Sequence, residues 1–214
     1  VLGLLEAPGR ITAGSITLGE LELANADERV LRTVRGGRIA MIFQDALGSL
    51  NPVKTIGFQL TEALRLHGDV SKATAVERAV ELLAEVGVQT PRARLAQYPH
   101  EFSGGMRQRV MIAMALASDP ELLIADEPTT ALDVTTQAGV IDLLRRLAGE
   151  RQMAVMLITH DLGVVASFAE DVLVMYAGAP VEHGPVDDVF ERAGHPYTQA
   201  LIAAVPQLGD RRAE

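Results

Sequence analysis

The apolar run "ELLIA" leads into two adjacent carboxylates, Asp126 and Glu127, and stops at Pro128. Like charges side by side repel, and a bound cation would relieve that repulsion. A carboxylate directly after a strand can hold a hard cation such as Mg²⁺, which keeps several of its waters and takes few protein oxygens. Its neighbour can orient or deprotonate an attacking water. The same pair can equally cap a strand and open a loop. Upstream, Ser103, Gly104 and Gly105 stand immediately before an apolar-periodic stretch. Serine is a good N-cap, glycine lets backbone approach a ligand closely, and a helix N-terminus offers free N–H groups with a partial positive charge. That combination suits an anion, although a plain capped helix after a flexible turn accounts for the same residues. His160 ends "MLITH" and can donate to a phosphate oxygen or be an ordinary surface histidine; Gln44, at the end of "RIAMIFQ", has a similar alternative as a loop amide.

These residues need elements to hold them. From residue 103 onward the pattern reads βαβ: helix 104 to 117, strand 121 to 126, helix 134 to 149, strand 153 to 159, helix 162 to 169, strand 171 to 176. Near-continuous apolar strands such as "ELLIA" and "MAVMLI" predict a parallel sheet covered on both faces, and ligands of such sheets gather at the carboxyl ends of the strands. Gln44, Asp126 with Glu127, and His160 all fall at such ends. Before them, "ITAGSITLGELELA" predicts short strands with Ile16, Leu18, Leu21 and Leu23 alternating, and "RIAMIFQD" one more strand ending in Gln44 and Asp45. Between about 55 and 100, apolar residues at spacings of three and four predict helices, with Gly87 at a C′ position.

The chain has 214 residues and is 48% hydrophobic, enough for one substantial core. No run approaches the roughly 20 apolar residues of a membrane span, and no basic n-region with an apolar h-region opens the chain, so any membrane role is expected to pass through a partner. Without cysteine it has no disulfide, thiolate metal site or iron-sulfur cluster. A net charge of −9 argues against a basic nucleic-acid groove. The chain opens at Val1 in mid-pattern, and "VLGLLEAPG" reads as an apolar turn of helix with no N-cap, as in a cut segment.

In this order the motifs resemble the ATP-binding subunits of ATP-binding-cassette transporters. "RIAMIFQD" is similar to the Q-loop, "FSGGMRQR" to the signature motif, "LLIADEP" to Walker B, "TALD" to the D-loop and "LITHD" to the switch-histidine loop. Where the common signature begins with Leu and ends with Gln, this chain has Phe102 and Met106. More narrowly, "FQDALGSLNPV", "YPHEFSGGMRQRVMIAMAL", "MYAGAPVEHGPVDDVF" and "HPYTQALIAAVP" resemble the oligopeptide and dipeptide importer branch, which includes nickel importers. The resemblance implies an α/β fold with a P-loop-NTPase-like, mostly parallel core sheet, a helical signature subdomain and a partial antiparallel β subdomain. It divides one cassette domain into residues 1–54 (partial β subdomain and Q-loop), 55–118 (helical signature subdomain), 119–180 (core sheet) and 181–214 (C-terminal extension).

It also implies roles. Asp126 holds Mg²⁺, Glu127 is the general base, Gln44 senses metal, partly through water, and His160 contacts the γ-phosphate of ATP. Ser103, Gly104, Gly105 and Met106 bind nucleotide held mainly by a second ATPase subunit, identical or paralogous, and Asp133 crosses the same interface. Transmembrane permease subunits dock on the helical lobe, with Gln44 at its hinge. A solute-binding protein acts indirectly, nucleic acid has no part, and the subunit sits peripherally on the cytoplasmic face of the plasma membrane.

A complete ATPase of this kind needs G-x-x-x-x-G-K-[ST] to surround the phosphates. The only lysines are Lys54 and Lys72. "GSLNPVKT" aligns Gly48, Lys54 and Thr55 but has Val53 where the second glycine belongs, and Pro52 has no N–H to offer. Lys72 has neither glycine nor hydroxyl in frame. The expectation is a family domain whose first strands and phosphate loop are absent from these 214 residues, so that they bind ATP very weakly alone and leave part of the sheet unpaired. Competing readings are a non-catalytic piece that completes or blocks a partner's site, a DNA-repair or helicase ATPase, and a metal phosphohydrolase built on His160 and Asp161. The charge and the short Gln44-to-Ser103 link oppose the second, and the lack of another His/Asp cluster opposes the third.

Overall fold

In the computed structural model, which describes residues 1–44, 46–66, 68–130 and 132–205, the first nine residues do not form the expected turn of helix. Gly3 adopts φ +62, and the carbonyls that a helix would use internally are taken by another element: Arg35 Nε donates to Leu2 O at 2.7 Å and Nη2 to Gly3 O at 3.3 Å. Asp45, Ala131 and residues 206–214, where parts of the quoted motifs fall, lie outside the described residues.

Strands β1 (Thr17–Leu18) and β2 (Leu21–Glu22) pair antiparallel across Gly19 and Glu20, with Gly19 at φ +59. The alternating residues all face inward: Leu23 is buried, and Ile16, Leu18 and Leu21 pack on the same cluster with Leu31, Val34, Ile39 and Ile124. Helix α1 (Glu28–Val34) is not among the expected elements. Its signal is local nonetheless, because Asp27 accepts from Val30 N at 2.9 Å as N-cap, Glu28 opens the first turn, and Leu31 and Val34 point inward.

Strand β3 (Ile39–Ile42) leads through the short α2 (Ala46–Ser49) into the helical lobe: α3 (Ile56–Leu66), α4 (Lys72–Glu85), the single turn α5 (Pro91–Arg94) and α6 (Gly104–Ala115). Gly87 does stand at the C′ position of α4, at φ +80. Its N–H donates to Ala84 O at 2.9 Å and that of Val88 to Leu83 O at 2.9 Å, the paired bonds of a Schellman end. Strand β4 (Leu122–Asp126) follows, then α7 (Val134–Arg151) and β5 (Ala154–Ile158). The sheet order is β3-β4-β5, all parallel, with Ile42 opposite Ala125 and Asp126 opposite Ile158. Leu123, Ile124 and Ala125 are buried, as a central parallel strand requires. Arg151, at the end of α7, forks onto the Glu85 carboxylate at 2.7 and 2.9 Å, joining α7 to α4 of the lobe.

The chain forms two compact units, and the second begins at Thr159. It holds α8 (Leu162–Phe168), β6 (Asp171–Tyr176), β7 (Ala179–Pro185), α9 (Val186–Arg192) and α10 (Pro196–Ala203). Residues 171 to 176 depart from the βαβ expectation: β6 pairs antiparallel with β7, not parallel in the main sheet. Ala177 (φ 49) and Gly178 (φ 80) make a two-residue turn with positive φ at both positions, a hairpin geometry that returns the chain at once. The "HPYT" stretch is a helix start. His195 Nδ1 accepts from Tyr197 N at 3.1 Å, Pro196 takes the first helical position, and the Tyr197 ring packs 4.5 Å from that of Tyr176.

Candidate functional site

Because Ile42 lies opposite Ala125, continuing both strands by two residues sets Gln44 beside Glu127, and the side chains meet: Gln44 Nε2 donates to Glu127 Oε2 at 2.7 Å. Two residues 83 positions apart are thus brought together at the carboxyl rim of the sheet. Asp126, the last residue of β4, is half-buried beside them.

Glu127 adopts φ +45, a left-handed conformation that costs a non-glycine residue about 1–3 kcal/mol. Surrounding bonds hold it there. Its N–H donates to Ile158 O at 2.9 Å, its carbonyl accepts from Thr130 N at 3.3 Å, and its carboxylate Oε2 also accepts from the Thr130 hydroxyl at 2.7 Å. Pro128, whose ring presets φ for the second position of a turn, is buried, as is Thr129. Pro128 therefore reverses the chain at the strand end and keeps the second carboxylate at the rim.

A donor set of one carboxylate (Asp126) and one amide oxygen (Gln44 Oε1) fits Mg²⁺, which completes its octahedron with water and phosphate oxygens. Among the described residues there is no group of three or more His, Asp or Glu side chains that could hold a metal ion, as a zinc or calcium cage would require.

At the other end of the lobe, Ser103 caps α6, its Oγ accepting from Met106 N at 3.3 Å. Gly104 and Gly105 lie in the first turn, where backbone N–H groups have no intrahelical acceptor, and Gly104 is exposed. The two glycines differ. A Cβ on Gly104 would meet only Leu132 Cδ2 at 3.5 Å, an ordinary contact, whereas on Gly105 it would sit 2.5 Å from Thr136 Cγ2. Packing alone therefore explains glycine at 105 but not at 104. Phe102, the departure from the common signature, is buried beneath the Arg94 guanidinium, 5.8 Å from its ring centroid, and Met106 is half-buried.

Asp133 is the N-cap of α7: Oδ1 accepts from Thr136 N at 3.0 Å and Oδ2 from the Thr136 hydroxyl at 2.7 Å. That hydroxyl, then that N–H, hold the Asp133 carboxyl below its ordinary range. His160 belongs to the second unit and is exposed; next to it Asp161 caps α8, accepting from Gly163 N at 2.9 Å and Val164 N at 3.2 Å. The structure brings Gln44 to Glu127, Gly104 to Leu132 and Gly105 to Thr136 at the start of α7, all within the first unit.

The near-miss "GSLNPVKT" is closed to phosphate. Asn51 N donates to Gln59 Oε1 at 2.8 Å, Val53 N to Asn51 Oδ1 at 3.1 Å and Lys54 N to Asn51 O at 3.2 Å, while the Lys54 ammonium lies 4.7 Å from the Phe58 ring centroid. The N–H groups of Asn51, Val53 and Lys54 are thus already bonded within the chain. Buried Gln59 and the exposed Thr130 escape sequence reasoning. The one local clue to Thr130 is a hydroxyl three residues after an acid across a proline turn.

This architecture is that of an ATP-binding cassette. The structure matches the dimeric ATP-binding cassette MJ0796, solved in a post-hydrolysis state bound to ADP and Pi, with TM-score 0.72 and 28% identity over 83% of this chain and 75% of that chain. The ABC transporter family profile matches residues 1–130, and that of the oligopeptide/dipeptide transporter C-terminal region matches residues 181–214. The chain belongs to the ABC transporter family. It is 55% identical over 207 residues to a putative peptide import ATP-binding protein of Brucella melitensis, covering 94% of this chain and 61% of the relative. It is 54% identical over 214 residues to the oligopeptide transport ATP-binding protein OppD of Salmonella typhimurium (100% and 64%), and 50% identical over 208 residues to the dipeptide transport ATP-binding protein DppD of Escherichia coli (97% and 64%). The chain thus spans a little over three-fifths of the length of these curated relatives.

Proposed function

We propose that the protein containing this chain is the ATP-hydrolysing subunit of an ABC importer for dipeptides or oligopeptides. The observation that carries this is the contact of Gln44 with Glu127 at the strand-end rim, next to Asp126. It joins two family motifs into one polar group able to hold a metal-bound phosphate and a water. The names of the relatives, peptide import and dipeptide and oligopeptide transport, support the cargo.

In this assignment Asp126 and Gln44 hold Mg²⁺, which neutralises phosphate charge when bound. Glu127 accepts the proton of the attacking water, and His160 donates to the γ-phosphate. Ser103, Gly104, Gly105 and Met106 present the start of α6 to nucleotide held mainly by a second ATPase subunit, and Asp133 lies along that interface. A dimeric cassette among the structural relatives supports two subunits closing face to face. Permease subunits receive the motion through the helical lobe, and a solute-binding protein delivers cargo to them. The subunit sits peripherally on the cytoplasmic face of the membrane; no helix of the described residues is long and apolar enough to cross one.

These 214 residues alone bind ATP weakly, because no G-x-x-x-x-G-K-[ST] occurs in them and the N–H groups of the nearest match are bonded internally. Titration of labelled ATP with Mg²⁺ against this polypeptide checks the point; micromolar binding would refute it. For the whole subunit, Glu127→Gln is expected to abolish most turnover while nucleotide binding persists, and unchanged turnover would remove Glu127 from its role.

A further inference from the structure

Glu127 begins a turn that closes on itself twice. The Thr130 N–H donates to the Glu127 carbonyl at 3.3 Å, and the Thr130 hydroxyl returns to the carboxylate of the same residue, donating to Oε2 at 2.7 Å. Between them Pro128 and Thr129 are buried, and the Thr129 carbonyl accepts from Leu132 N at 3.0 Å, so the turn is anchored at its middle. Gln44 Nε2 reaches the same Oε2, also at 2.7 Å. A carboxylate oxygen has two lone pairs, and here two donors from separate segments address one oxygen. Together they fix the rotation of the carboxylate plane and with it the direction in which Oε1 is presented.

The two donors are not equivalent. Gln44 comes from a segment that leads into the helical lobe, whereas Thr130 sits three residues along the same turn. Its grip on Glu127 is therefore set by the local backbone of that turn.

We propose that Thr130 is a positioning residue for water activation: its hydroxyl holds the Glu127 carboxylate so that Oε1 meets the attacking water in one orientation. The inference rests on the assignment of Glu127 as the base. A hydrogen bond to a charged group is strong enough for its loss to matter, and a base displaced from its productive orientation lowers kcat more than KM.

The test is steady-state ATP hydrolysis by the full-length subunit in its transporter complex, with Thr130→Val, Thr130→Ser and Glu127→Gln compared. Thr130→Val keeps shape and removes the donor, so kcat is expected to fall roughly tenfold or more with KM for ATP within about twofold of wild type. Thr130→Ser restores the donor and should recover kcat to within about twofold. Wild-type kcat in Thr130→Val, with Glu127→Gln inactive, would overturn the role of Thr130 alone. Equal losses in the Val and Ser variants would overturn it too, since turnover would then not follow the presence of the hydroxyl. Full turnover in Glu127→Gln would instead overturn the assignment of the base. Should Thr130→Val fail to fold, Thr130→Ala supplies the hydroxyl-free comparison under the same criteria.

Discussion

Gly105 of α6 and Thr136 of α7 approach so closely that a Cβ on the glycine would stand 2.5 Å from Thr136 Cγ2. Thr136 cannot easily turn away, because its hydroxyl and its N–H both bond Asp133. Alanine is the better helix former, yet Gly105→Ala is expected to destabilise the protein by about 1–3 kcal/mol through overpacking. Thr136→Ser deletes the offending methyl and keeps the hydroxyl, so the double variant should recover most of that loss. Chemical denaturation of the four proteins of the cycle measures the coupling.

Gly104, one residue earlier, gives the opposite forecast. Its Cβ position is open apart from an ordinary contact with Leu132, so Gly104→Ala should leave the denaturation midpoint unchanged or slightly raised. If the start of α6 faces nucleotide, turnover of the assembled transporter should nevertheless fall roughly tenfold or more. Parallel melting and ATPase measurements separate the two effects.

Gln59 is buried and satisfies three backbone groups, accepting from Asn51 N at 2.8 Å and donating to Asn51 O and Lys54 O at 3.1 Å each. Gln59→Leu keeps the bulk and takes the Gln59 partner from Asn51 N and Lys54 O, while Asn51 O still accepts from Lys54 N, at a cost of about 1–3 kcal/mol. Amide hydrogen exchange should show the loss first at Asn51, whose N–H loses its acceptor.

Acid should loosen the start of α7. The Thr136 hydroxyl and then its N–H favour the charged form of Asp133, so its carboxyl titrates lower in the folded protein than in the unfolded chain. The stabilisation is therefore present above the unfolded value, about 3.9, and is lost as pH falls through the folded one. Asp133→Asn keeps a capping oxygen without the titration. Its unfolding midpoint is expected to depend less steeply on pH below about 4 than that of the wild type, as followed by circular dichroism.

Features governed by neighbours a few positions apart are legible in the residue order. The Schellman end at Gly87, the serine cap before Gly104 and the apolar run of β4 all follow from spacing, capping chemistry and backbone restrictions. So do the motifs that carry the family resemblance, since each is a contiguous string. Segments of similar local character that differ in partner are not legible. Residues 1–9 have a helix-like pattern, but Arg35 takes their carbonyls. Residues 171–176 have the same strand character as the parallel set, but the turn at Ala177 and Gly178 folds them into a hairpin. Only the tertiary structure decides that Gln44 meets Glu127, that Gly105 abuts Thr136 and that Thr130 shares an oxygen with Gln44. The physical reason is that side-chain distances across a sheet or between helices depend on strand register and helix packing, which whole elements settle cooperatively and no short window of sequence contains.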